Sequence, residues 1–131
     1  MASALYDKGR EGFLAGDIDW DANNIKCVLV DTGTYTVNLA THQFHSDLSG
    51  IVATSGNLTA KTVTAGTADA GDVTFSAVSG ATVEAIVVYQ DSGVSATSRL
   101  IAYIDSGTGL PVTPNGGDIT VQWNASGIFT L

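Results

Sequence analysis

The sequence predicts an all-β domain: a β-sandwich or partly open barrel of seven to eight mainly antiparallel strands, preceded by a short N-terminal helix or arm. Three observations predict it. Val, Thr, Ala and Gly dominate while helix-favouring Glu and Lys are scarce, a composition suited to strands and turns. Past Gly16 apolar residues recur with period two. Clusters of Gly, Asn, Asp and Ser then punctuate the chain at short intervals, without the strand–helix alternation of a parallel α/β sheet.

Residues 3–15 (SALYDKGREGFLA) are the one stretch with helical spacing. Leu5, Gly9, Gly12 and Phe13 fall on one face, and Ser3 is placed to cap the start. The two glycines each cost about 1 kcal/mol relative to alanine, so this helix needs a surface to lie on. Strands are expected at residues 24–31, 71–78, 82–90, 99–105, 118–124 and 127–131, with shorter ones at 51–54 and 61–64. In NIKCVLVD, Ile25, Cys27 and Leu29 face one way and Val28 and Val30 the other, as in a strand covered on both sides. The run 107–117 (GTGLPVTPNGG) holds both prolines and reads as a loop. With 131 residues and no linker or repeat, the chain forms one domain, an arm at 1–16 and a body at 17–131.

Thirteen acids against five bases leave a net charge of −8. A surface of that sign repels phosphate backbones and anionic headgroups, so neither nucleic acid nor membrane is expected as a partner. The lone cysteine, Cys27, lies in an apolar run and excludes an intrachain disulfide. No basic leader followed by an apolar stretch opens the chain, so synthesis in a cytoplasm is expected.

Four patterns invite a chemical reading. Asp17, Asp19, Asp21 and Asn23 alternate with Ile18, Trp20 and Ala22, like the start of a calcium loop. Such a loop wants glycine at its sixth position and a bidentate glutamate at its twelfth, where this chain has Ala22 and Val28. A solvated edge strand whose carboxylates discourage pairing explains the same spacing. His42 and His45 are three residues apart, but nothing nearby completes a zinc set, so they read as surface or turn histidines around a buried Phe44. No nucleophile elbow, phosphate loop or dinucleotide fingerprint occurs. Trp20 and exposed tyrosines could stack on a sugar, whereas Trp123 alternates with Ile119 and Val121 and belongs to the core. The acceptor patterns at Asn57 and Asn124 carry weight only in a secreted chain.

The opening ALYDKGREGFLAGDIDW, then DWDANNIKCVLVD, RLIAYID and QWNASGIF in that order, resemble a family of small structural proteins of tailed bacteriophages. The resemblance spans nearly the whole chain, residues 56–71 being the least distinctive. It implies a virion protein without enzymatic activity or cofactor, most readily a capsid decoration or cement protein bound outside the shell. The alternatives are a neck, tail or baseplate component, or a surface carbohydrate-binding module. The implied partners are further copies of itself, a closed ring such as a trimer being one form, and the major capsid or other virion proteins. On this reading Lys8 and Arg10, flanked by the apolar anchors Leu5 and Phe13, would dock the arm on a partner or an adjacent copy. Equally, the segment could cap its own fold.

Overall fold

A computed structural model describes residues 4–105, 110–123 and 125–131. Among the described residues the chain is all-β with one short N-terminal helix: ten strands in three antiparallel sheets. In order they are β1 (Ala4–Leu5), α1 (Asp7–Leu14), β2 (Ile25–Val30), β3 (Ile51–Thr54), β4 (Thr62–Thr64), β5 (Thr67–Asp69), β6 (Val73–Phe75), β7 (Ala85–Gln90), β8 (Leu100–Ile104), β9 (Ile119–Val121) and β10 (Phe129–Thr130).

The main sheet has the order β1-β8-β7-β2-β3, and the smaller ones are β10-β5-β4 and β6-β9. The predicted alternation in β2 holds. Ile25, Cys27 and Leu29 enter one core, with Ile86, Val88, Ile101 and Ile104 of the same sheet, Ala68, Val73, Phe75 and Val121 from the smaller sheets, and Ile128 just before β10. Val28 and Val30 enter a second core on the opposite face, with Ala85, Val87, Tyr89, Leu100 and Tyr103. That face is roofed by Tyr6 and by residues 31–50, which contribute Tyr35, Val37, Leu39 and Leu48. Between β7 and β8 the register shifts, Val88 facing Ala102 while Tyr89 faces Leu100, so that both Ile101 and Ala102 join the first core.

Two strands were not expected. The helix is shorter than residues 3–15: Tyr6, in an extended conformation, starts it, and Ala4 and Leu5 pair with Tyr103 and Ala102 as an edge strand. Leu5 therefore does not share a helix face with Phe13. The second is an unexpected strand, β5, turned back from β4 at Ala65 and Gly66, whose φ values of 52° and 77° suit a two-residue hairpin. These two additions raise eight expected strands to ten. The proposed cap Ser3, residues 107–109 of the expected loop, and Asn124 lie outside the described residues. The remainder of that loop is tied to the body where Val112 bridges Val83. Among the described residues no helix is long and apolar enough to cross a membrane.

Candidate functional site

Residues 17–23 do not form the expected edge strand. The chain turns at Trp20–Ala22, while Ile18 and Trp20 point inward and Asp17, Asp19 and Asp21 stay exposed. The carboxylates do not converge. Asp17 lies 3.4 Å from the Arg99 guanidinium, and Asp19 accepts the Ala22 N–H. The Asn23 side-chain oxygen accepts two hydrogens, from the Asp19 N–H and from the Gln90 amide, each at 2.7 Å. An oxygen already satisfied by two donors is a poor cation ligand. Among the described residues no trio of His, Cys, Asp or Glu is arranged to hold a metal ion.

The N-terminal segment is built into the body. Tyr6 is fully buried and its N–H bonds the Ile101 carbonyl, continuing the β1–β8 pairing into the helix start. Leu5 and Phe13 both pack against the first core, Phe13 with its ring 5.8 Å from that of Phe129. Lys8 pairs with Glu11 and Arg10 with Asp7, each one helical turn apart. The apolar side chain that the segment turns outward is Leu14, 88% exposed, which its position on the helical pattern had not singled out.

The aromatic residues offer no stacking platform. Trp20 is 4% exposed and donates its indole N–H to the Asp69 carbonyl. All four tyrosines are buried, none more than 5% exposed. The sugar-stacking surface expected from Trp20 and the tyrosines is thus absent, because these rings fill the two cores. Trp123, expected in the core, is half-buried at its margin and donates to the Gly71 carbonyl.

His45 opens a 3-10 turn and both His42 and His45 are half-buried, while Phe44 between them, expected to be buried, is only half-buried under the Arg99 guanidinium, 5.6 Å from the ring centre. Nδ1 of His42 sits 2.7 Å from the Tyr35 hydroxyl, which is itself 2.9 Å from the Tyr6 hydroxyl. Nδ1 of His45 lies 2.7 Å from the Ser95 hydroxyl, and its ring packs 4.8 Å from Tyr89. Burial pushes the His45 pKa below its ordinary value, with Asp91 opposing. These links join residues 29 and 50 positions apart, so spacing along the chain could not have disclosed them.

Polar groups elsewhere are largely spent on holding turns. Asp31 caps Gly33, Glu84 caps Thr32, Asp47 caps Gln43 and Phe44, and Asp118 caps Ala77. Lys26 pairs with Asp91 at 2.9 Å, and Lys61 donates to the Asn23 carbonyl. With Lys8, Arg10 and Arg99 also paired, all five bases are engaged within the chain. An open cleft of about 270 Å³ lies beside β3, between Asp31, Thr34, Ile51, Val52 and Gly80. Its charged lining residue is the Asp31 carboxylate already committed to Gly33 and Thr34. Set against known proteins, the chain matches no family model and no curated protein.

Proposed function

We propose that this chain is a non-enzymatic structural protein of a tailed-bacteriophage virion, and that it decorates the outside of the capsid shell. The observation that carries this reading is the way the chain uses its charge. Every base is taken up by a partner within the fold, leaving the excess of acids to face solvent and neighbours. A body with that surface is repelled by packed DNA and suits the outer side of a shell. The pattern of the sequence, which resembles small phage structural proteins, points the same way.

Binding would come from apolar side chains that the fold leaves outside its cores. Leu14, Val63 and Leu131 are 88%, 57% and 61% exposed. Leu14 ends the helix whose Lys8 and Arg10 are paired with Glu11 and Asp7, so the contact this segment offers is apolar. Leu5 and Phe13 act behind it, fixing the helix to the body. Ring symmetry, as in a trimer, would repeat these contacts around a shell axis.

The experiment is saturation binding of the purified chain to tailed-phage capsids that lack it, followed by electron microscopy of the complex. Occupancy close to that of the major shell protein supports decoration. Binding of a few copies at one vertex or on the tail replaces decoration with a neck, tail or baseplate role. Absence of binding to any particle, or turnover of a substrate, removes the virion reading.

A further inference from the structure

We propose that residues 31–50 are an acid-released strap: while His42 and His45 are neutral it covers one face of the main sheet, and their protonation frees it. This goes beyond the structural role proposed above and does not depend on it.

The strap leaves the sheet after β2 and returns before β3, closed at its base by the Asp31 N–H on the Gly50 carbonyl. It contains no strand; its regular structure is a 3-10 turn at His45–Asp47 and one antiparallel bridge from Phe44 to Arg99. Yet it roofs Val28, Val30, Ala85, Val87 and Tyr103. Both histidines of the chain lie in it: His45 bonds Ser95 of the body, while His42 bonds Tyr35 within the strap, whose hydroxyl in turn meets that of Tyr6 in the body.

At His42 the geometry sets the direction of every hydrogen. The Asn38 backbone N–H points at Nδ1 from 3.3 Å, and an amide N–H only donates. Nδ1 therefore carries its lone pair and the ring hydrogen sits on Nε2. The Tyr35 hydroxyl, on the same atom at 2.7 Å, must then donate to it, and its oxygen is free to accept from the Tyr6 hydroxyl. A proton added to Nδ1 meets two donors. The Asn38 contact is lost, Tyr35 can no longer donate to the ring, and one hydroxyl hydrogen of the buried Tyr6–Tyr35 pair is left without an acceptor among these groups.

At His45 the ring is wedged between Tyr89 and Ser95, and the same turn is tied to the body by its N–H on the Ser98 carbonyl. Desolvation favours its neutral form. Stability from that preference is present above the ordinary histidine pKa and is lost as pH falls.

Other charges surround both rings. His42 faces Tyr35 and Asp47 within the strap, with Tyr6 and Tyr103 behind Tyr35. His45 faces Tyr89 and Asp91 from the β7 side, and Asp91 is held by Lys26 from β2. Asp47 accepts the Gln43 and Phe44 N–H groups, which holds its pKa below the usual carboxylate range. It stays charged through the histidine range and, with Asp91, attracts a protonated ring. Opening is thus driven by the lost hydrogen bonds against that attraction.

The test is amide hydrogen exchange of the whole chain from about pH 7.5 to about pH 5, corrected for intrinsic rates, with ring nitrogen shifts read by NMR. Protection of residues 31–50 is expected to fall by about tenfold or more relative to β2, β7 and β8, each proton taken up giving at most about tenfold per pH unit. The His42 ring is expected as the Nε2–H tautomer. His42→Gln with His45→Gln should abolish the pH dependence. Strap protection that follows the sheet throughout, an Nδ1–H tautomer at His42, or an unchanged pH profile in the double variant would each overturn the proposal. Should the double variant fail to fold, the exchange profile and tautomer of the unaltered chain decide.

Discussion

A Cβ placed on Gly9 would stand 2.8 Å from the carbonyl oxygen of Leu100 and 2.9 Å from that of Ile101, so α1 lies directly on the backbone of β8. In an exposed helix, glycine to alanine gains about 1 kcal/mol. Here the added methyl meets backbone rather than a side chain that can swing away, and overpacking of this kind costs about 1–3 kcal/mol. The clash wins. Gly9→Ala is expected to lower the urea midpoint with an unchanged denaturant slope, whereas Lys8→Ala, which removes an exposed pair, should stay within about 0.5 kcal/mol of the parent.

The relay from Tyr6 through Tyr35 to His42 predicts unequal effects of two similar substitutions. Tyr35→Phe removes the acceptor of a buried hydroxyl and the donor to His42 together, at a cost of about 2–3 kcal/mol. Tyr6→Phe removes only the terminal donor, leaving Tyr35 bonded to His42, and should cost about 1 kcal/mol. Urea unfolding of the two variants checks the ranking, and a larger loss for Tyr6→Phe would contradict the assigned direction of the hydrogens.

What the sequence disclosed was what depends on neighbours along the chain. The two-sided burial of β2 was written in NIKCVLVD, and all eight expected strands appear, trimmed by one to three residues at most of their ends. The errors have a common cause. Ala4 and Leu5 carry no strand preference, and they extend because β8 offers a free edge. Thr67–Asp69 is likewise a strand because the Ala65–Gly66 turn returns it to β4. The acidic stripe, read as an edge strand from its alternation, turns instead at Trp20–Ala22, where Arg99 and Gln90, distant in sequence, meet Asp17 and Asn23.

Burial also sets the response to alkali. All four tyrosines are pushed above their ordinary pKa by desolvation, Tyr89 to about 12, and burial raises the Cys27 thiol to about 12. A phenol or thiol with a raised folded pKa adds stability that is complete below its unfolded value and disappears as pH rises through the folded one. The fold should therefore hold its full stability up to about pH 8.5 and weaken above about pH 10. Absorbance of tyrosinate should stay low until circular dichroism reports unfolding, then rise in one step, and Cys27 should resist a thiol reagent until the same point. Independent ionisation of single tyrosines near pH 10 would show that their hydroxyls are more accessible than this packing allows.

Asn23 gives the last prediction, because it separates a structural from a metal-binding role for the acidic turn. Its side-chain oxygen closes the turn onto the Asp19 N–H and receives the Gln90 amide, which also donates to the Asp17 carbonyl. Asn23→Ala removes the shared acceptor and should cost about 1–2 kcal/mol, as loss of a capping side chain does. A calcium site would behave differently: chelator would lower the melting temperature of the parent, and added calcium would raise it in proportion to the logarithm of concentration. With Asp17 opposite Arg99 and Asn23 saturated by donors, the expected result is a melting temperature indifferent to both, alongside a marked loss in Asn23→Ala. A calcium-dependent rise would mean that Asn23 gives up both donors to the ion, and that the turn is rebuilt when it binds.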